Sequence, residues 1–394
     1  MTRSSSSGAE VATAHVEAAA PAAPGLVASL AQFRERIRSL DYLDIYRLHC
    51  YELAPRVLPE SLRQTLKFAP PAAQSLFRLL YFREPVSAGE TEKLFGRELT
   101  RDLQEAGILA PSGPGSLASP FRLELIGESL LFTEELLKRP QAVYYGEDSQ
   151  FLRNMLDPEP GDVCLDLCTG SGIQGLRCAQ VAARADLVDV HPPAVRLATL
   201  NAALNGVSSR VEVFQGDLWD ALPPDRSYDF VTCNPPLMPV VDEVKFPLYG
   251  HGGPDGLRLV DRILEQLPGR LSDRGRIALI GACTGDEQQP DIARRVDTYL
   301  GDGFESKLFV LLRAPLRDWV SRIALTASLY YDDLNFQNAV LRSNVAYAKD
   351  AGKTRVYTYL LRARRRAGGR CQVIDYSRVG QRSYWFVNRG TIAE

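Results

Sequence analysis

Two hydrophobic rhythms divide this chain. From Leu26 to about Leu137 apolar residues recur at near-helical spacing: Leu76, Phe77, Leu79 and Leu80, then Leu94 and Phe95, then Leu99 and Leu103. Ser87, just after Pro85, is placed to cap a helix, and Gly107 to close one. FRLELIGESLLF alternates as a strand does before turning wholly apolar. From Gly161 onward the rhythm changes to short apolar runs separated by amphipathic helices, as in a parallel α/β sheet. Strands are predicted at 163–167, 185–190, 211–215, 230–234, 276–281, 306–312 and 355–363, with helices at 173–183, 193–205 and 256–270. The last two strands are separated by residues 313–354, an insertion long enough to be functional or disordered.

The pattern therefore predicts a disordered leader over 1–24, a mainly helical region over 25–140 and an α/β region over 141–394. Three short helices followed by a β element resemble a winged-helix module; a small helical bundle would show the same pattern. No internal repeat is visible.

Composition narrows the class. The 394 residues are 45% hydrophobic and 24% charged, enough for a sizeable core and more than one domain. No run approaches the ~18–20 apolar residues of a membrane span, and the Ser- and Ala-rich start lacks the apolar core of a secretory signal. Seven scattered cysteines suggest reduced thiols and a cytoplasmic home, while four histidines and no CxxC pair argue against a metal site. The net charge of −2 excludes a globally basic nucleic-acid binder. It hides a segregation, however: residues 126–350 carry a net −10 and residues 351–394 a net +8. Arg362, Arg364, Arg365, Arg366 and Arg370 could form a phosphate patch or simply face solvent.

The chemistry-bearing residues follow the strands. After the first comes Asp166-Leu-Cys168-Thr169-Gly170-Ser171-Gly172, with Gly175 completing GxGxxG. Such a turn lets a ligand approach the backbone and meet its N–H groups. Asp189 ends the second strand, where a carboxylate can accept both ribose hydroxyls. Dehydrogenases and nucleoside-binding methyltransferases share these two features. Asp166, four residues before Gly170, can order the turn and reach the amino-acid end of a smaller ligand. After the fourth strand, Asn234-Pro235-Pro236-Leu237 sets a side-chain amide oxygen and a backbone carbonyl side by side. The prolines remove backbone donors and fix φ. Two converging acceptors suit an N–H donor, whose nitrogen lone pair they can turn toward an electrophilic methyl group.

DLCTGSG, LVDVHPPAV, VFQGDLWDAL, YDFVTCNPPL and YGHGGPDGL (249–257), in that order, resemble the class I S-adenosylmethionine (SAM) methyltransferases. The likeness is to the small-domain group that holds the release-factor glutamine and rRNA guanine-N2 methyltransferases, and it covers roughly residues 140–290. It implies a seven-stranded Rossmann-like sheet, with SAM as cofactor. Residues Cys168 to Gly172 would line the methionine moiety, with Asp166 among the cofactor-binding residues, and Asp189 would hold the ribose. Asp217 would bond the adenine amine, Leu218 would lie against the ring, and Asn234 to Leu237 would cradle the accepting nitrogen.

Two positions depart from the family pattern. Cys168 replaces a glycine, and Leu237 replaces the aromatic residue that stacks on a flat amide or base. The segment YYGEDSQFL (144–152) lacks the Pro-Glu-Thr signature of the glutamine enzymes, although Tyr144 and Tyr145 could supply the missing aromatic wall. His251 is a candidate base, His191 a candidate adenosine contact, Trp219 a candidate shield, and Tyr330, in the insertion, a candidate lid residue. The expectation is a SAM-dependent methyltransferase acting on a nitrogen of a small molecule of specialised metabolism. The alternative substrates are a protein glutamine or an rRNA base. From other classes, an NAD-dependent oxidoreductase or a non-enzymatic SAM-binding scaffold would explain the glycine turn while leaving Asn-Pro-Pro idle.

Overall fold

The computed structural model describes residues 18–50, 59–136, 139–242, 244, 246–328 and 334–377. The first part is helical: α1 (Pro24–Ser39), α2 (Tyr42–Cys50), α3 (Pro59–Leu66) and α4 (Pro71–Leu76), which runs on as a wider turn over Phe77–Tyr81. Then come β1 (Val86–Ser87), α5 (Ala88–Phe95), α6 (Arg97–Glu105), β2 (Ala110–Pro111) and β3 (Ser116–Ala118). These three strands pair in the order β1-β3-β2. Ser87 caps α5 by accepting from Glu90 N at 3.2 Å, and Gly107 closes α6 at φ +68°. A hairpin, β4 (Arg122–Ile126) and β5 (Ser129–Thr133), completes this part. Of the expected leader, residues 1–17 lie outside the described residues. Ala18 and Ala19 lie along the sheet edge, Ala19 N donating to Val213 O at 2.7 Å, and α1 starts at Pro24.

The second part begins with α7 (Glu147–Met155) and β6 (Val163–Leu167), followed by α8 (Ile173–Ala179), β7 (Arg184–Asp189), α9 (Pro192–Leu204), β8 (Val211–Gln215) and β9 (Tyr228–Cys233). It continues with α10 (Arg258–Arg270), β10 (Leu271–Gly285), α11 (Asp291–Tyr299), β11 (Phe304–Pro315), α12 (Leu316–Ser328), α13 (Leu334–Asp350), β12 (Arg355–Arg365) and β13 (Gln372–Asp375). The sheet order is β13-β11-β12-β10-β9-β6-β7-β8. All seven strands read from the sequence are present, and β13 is an eighth: four residues pairing in parallel with β11, too short and too exposed to leave an apolar signature. Strands β10 to β9, β6, β7 and β8 run parallel, while β12 is antiparallel to both neighbours. The order reverses between β6 and β9, so a crevice opens at their carboxyl ends.

The two parts share a core. Ala194, Leu197, Leu200, Ala203 and Leu204 of α9 pack with Phe33, Phe132 and Leu130. Polar groups bind the same seam. Asn201 Oδ1 accepts from Phe132 N at 2.8 Å and its Nδ2 donates to Phe132 O at 3.1 Å; Asn205 does the same for Leu130 at 3.0 and 2.7 Å. The match is metrical, since four helical residues rise ~6 Å and two strand residues ~6.8 Å. Asn201 Nδ2 also reaches Ser171 O at 2.9 Å, tying the hairpin to the glycine turn.

The insertion is a pair of helices. Trp319 and Ile323 of α12 are buried against Leu237, Val240, Val241 and Val244, and Asn344 of α13 accepts from Val241 N at 3.3 Å. No described helix is long and apolar enough to cross a membrane.

Candidate active site

A cavity of about 310 Å³ lies at the switch point, walled by the turns after β6, β7, β8 and β9 and by residues 140–149. Burial of Asp166 inside β6 pushes its carboxyl up to about 7. Its Oδ2 accepts from Thr169 Oγ1 at 2.6 Å and Gly175 N at 2.8 Å, which folds the turn. Gly170 and Gly172 take φ +55° and +86°, the left-handed region open to glycine. A Cβ at Gly175 would meet Leu187 at 2.5 Å, so this third glycine serves the contact of α8 with β7. Cys168 holds φ +56° without being glycine; its thiol contacts that of buried Cys233 while the residue lines the cavity. Thr169, Gly170 and Ser171 also line it, and Ser171 Oγ is buried with no hydrogen-bond partner among the described residues. Asp166 and Gly172 sit behind this wall.

Asp189 lies on the next wall. Its Oδ2 accepts from Gly170 N at 2.8 Å and its Oδ1 from His191 N at 2.9 Å, and burial raises its pKa above the ordinary carboxylate range. Each oxygen keeps acceptor capacity for a vicinal diol. Asp217 and Leu218 close that end, the Asp217 carboxylate being bridged by Arg262 at 3.0 Å, and Val190, Leu259 and Ile173 supply apolar faces. His191 lines the cavity but its Nε2 is engaged with Gln141 O at 2.9 Å. Trp219 is buried in the main core, away from the lining. A glycine turn, a diol acceptor, a second carboxylate and apolar faces for a flat ring fit a nucleoside with an amino-acid tail, as SAM is.

At the other end stands Asn234, on the lining together with Pro236, Tyr144, Ser149 and Tyr249. Asn234 Nδ2 donates to Asp148 Oδ2 at 3.0 Å and to Ser149 Oγ at 3.2 Å. Its Oδ1 is buried and has no hydrogen-bond partner among the described residues. Tyr144 donates to Asp148 Oδ1 at 2.6 Å and stacks on Tyr249, ring centroids 5.0 Å apart and planes at 19°.

Several expected site residues lie elsewhere. Pro235 is buried outside the lining, and Leu237 turns into the apolar cluster with Trp319, because the proline pair carries the chain off the sheet toward the insertion. Tyr145 packs with Ile173 and Leu176 and accepts from Gln150. His251 does not line the cavity; its Nδ1 accepts from Gly253 N at 3.4 Å, and burial followed by nearby Arg258 lowers its pKa, so it is neutral at neutral pH. Tyr330 lies outside the described residues. Asp148, Ser149, Tyr249 and Arg262 were not singled out from the sequence. The acidic Glu-Asp-Ser of the 144–152 segment was the available signal for the first two.

The basic C-terminal stretch is largely spent internally. Arg362 pairs with Asp157, Arg364 with Glu305 at 2.6 Å, and Arg365 donates to Pro268 O, Leu271 O and Ser272 O. Arginines so engaged make no free phosphate-binding row.

Residues 145–282 match the family described as methyltransferase small domain, and this part of the chain is similar to the class I SAM-dependent methyltransferases of that group. The ribosomal protein uL3 glutamine methyltransferase of Bordetella pertussis is 38% identical over 133 residues, covering 31% of this chain and 44% of that one. The release factor glutamine methyltransferase of Rhodopirellula baltica is 28% identical over 139 residues, covering 32% and 47%. The chain thus spans less than half the length of either relative. A SAM-dependent methyltransferase from Thiobacillus denitrificans, solved with S-adenosyl-L-homocysteine, aligns over 58% of this chain and 94% of its own at 17% identity and TM-score 0.33. A likeness that distant carries nothing over.

Proposed function

We propose that the chain is a SAM-dependent N-methyltransferase whose acceptor is the side-chain amide of a protein glutamine. The observation that carries this reading is the buried Asn234 Oδ1, left without a partner at the cavity wall while its own N–H groups are taken by Asp148 and Ser149. An orphaned acceptor costs about 1–3 kcal/mol unless something donates to it, and a substrate N–H would do so. SAM, when bound, supplies a methyl group on a positively charged sulfur. The protein's part is to hold the acceptor nitrogen in line, with an N–H on Asn234 Oδ1, so that the nitrogen lone pair faces the bound methyl donor.

Two considerations favour a protein glutamine over the small molecule expected from Leu237. The related chains are glutamine methyltransferases by name. The aromatic surface missing at Leu237 has a substitute in the Tyr144–Tyr249 pair, which lines the same cavity and suits a planar amide.

The test supplies purified ribosomal protein uL3 and a purified release factor with labelled SAM and locates the methyl group by mass spectrometry. Methylation on glutamine nitrogen is expected. Asn234→Ala should lower turnover about a thousandfold while calorimetry finds SAM affinity within a few-fold. Loss of SAM binding together with activity would remove Asn234 from the acceptor side.

A further inference from the structure

The Asn234 amide could sit either way round: Oδ1 toward the cavity, ready to accept, or Nδ2 toward the cavity, ready to donate. Only the first suits an N–H substrate, and shape does not distinguish them, because the two ends of an amide are nearly isosteric. The choice is made by what lies behind. Asp148 and Ser149 stand there, 3% and 4% exposed, at the start of α7. A carboxylate accepts only, so an amide oxygen turned against Asp148 would set acceptor against acceptor in a dry site. Turned the other way, Nδ2 bridges Asp148 Oδ2 at 3.0 Å and Ser149 Oγ at 3.2 Å, and Oδ1 is left over.

We propose that Asp148 is the positioning residue of the acceptor site: by taking the Asn234 N–H group it fixes Asn234 Oδ1 as the acceptor that reads the substrate nitrogen. This rests on the acceptor role of Asn234 proposed above. Asp148 is itself held from the opposite side by Tyr144, whose hydroxyl donates to Oδ1 at 2.6 Å, and α7 is anchored to α8 by Gln174 Nε2 donating to Ser149 O at 3.3 Å. The chain Tyr144–Asp148–Asn234 therefore runs from the aromatic pair to the acceptor oxygen, with both donors turned toward Asp148.

The test is a polarity swap. Asp148→Asn is nearly isosteric but offers an N–H to Asn234 Oδ1, which inverts the amide and presents a donor to the substrate. Turnover on uL3 or release factor should fall about a hundredfold, mostly in kcat, with S-adenosylhomocysteine affinity within threefold and an unchanged melting temperature. Asn234→Asp alone sets two carboxylates against each other. The double variant Asp148→Asn/Asn234→Asp restores an acceptor at the cavity and should recover at least tenfold over Asp148→Asn, a coupling that a merely structural role would not produce. A kcat for Asp148→Asn within threefold of the parent, or a double variant no better than Asp148→Asn, would overturn the proposal. If the parent methylates neither protein, the glutamine reading fails by itself. The positioning role is then read from side-chain amide exchange of Asn234 by NMR. Protons protected in the parent and fast-exchanging in Asp148→Ala uphold the role; equal exchange in both overturns it.

Discussion

The two ends of the cavity are built by different means. At the glycine-turn end, the proposed cofactor side, each contributor follows a strand directly: the turn after β6, Asp189 at the end of β7, Asp217 after β8. Its turn is folded by a hydrogen bond that is short-range in the chain, from Gly175 to Asp166 over nine residues. At the Asn234 end, the proposed acceptor side, Asn234 meets Asp148 across 86 residues and Ser149 across 85, and Tyr144 meets Tyr249 across a comparable gap. Backbone geometry makes the first half; side chains brought together by the tertiary fold make the second. Substitutions in the cofactor half should therefore register in stability and SAM affinity, and those in the acceptor half in turnover.

The largest expected breach of that division is at Asn201, which is fully buried and serves Phe132 on the hairpin and Ser171 on the turn at once. Asn201→Leu strands three backbone groups and should cost roughly 3–5 kcal/mol in urea unfolding, with SAM affinity falling in parallel. Gly175→Ala comes next. Its Cβ would press on Leu187, and overpacking of this kind costs about 1–3 kcal/mol; calorimetry should find weaker SAM binding while kcat at saturating SAM holds. Tyr144→Phe sharpens the other side. It removes one charge-assisted hydrogen bond from Asp148, so kcat should drop about tenfold with SAM affinity unchanged.

The other check on the glycine-turn side is one of pH. Between 3.8 and about 7 the unfolded chain has released the Asp166 proton and the folded chain still holds it. The contribution of Asp166 to stability should therefore decline as pH rises through that window and level off above it. Asp166→Asn lacks the ionisation, so urea unfolding at intervals from about pH 5 to 8 should show its stability gaining on the parent up to about 7 and then running parallel.

The same contrast explains what could be read in advance. Strand periods, the glycine turn and the post-strand carboxylates are local patterns; they located the seven main strands, and the structure places Cys168 to Ser171, Asp189, Asp217 and Leu218 on the lining of one cavity. Leu237 misled because position along the chain suggested the cavity, whereas the proline pair and the apolar surface of α12 draw it into a different cluster. Tyr249 opened a motif but carried no site role there, and it lies against a ring 5.0 Å away. Asp148 sat in the 144–152 segment with nothing local to tie it to Asn234, and the fold buries it behind that residue. The +8 terminal segment left a phosphate patch and solvent-facing arginines both open; among its described residues, Arg362, Arg364 and Arg365 are matched with Asp157, Glu305 and the carbonyls of residues 268–272.

The asparagine pair on α9 has one more consequence. A two-stranded hairpin has two open edges, and an open edge is a template on which another chain can add a strand. In β5 the outward-facing N–H and C=O groups of Leu130 and Phe132 are already occupied by Asn205 and Asn201. Side-chain amides here do the work of a neighbouring strand. The hairpin is thus sealed on that side against fibril-like pairing, and its apolar residues Leu130, Leu131 and Phe132 stay buried in the core.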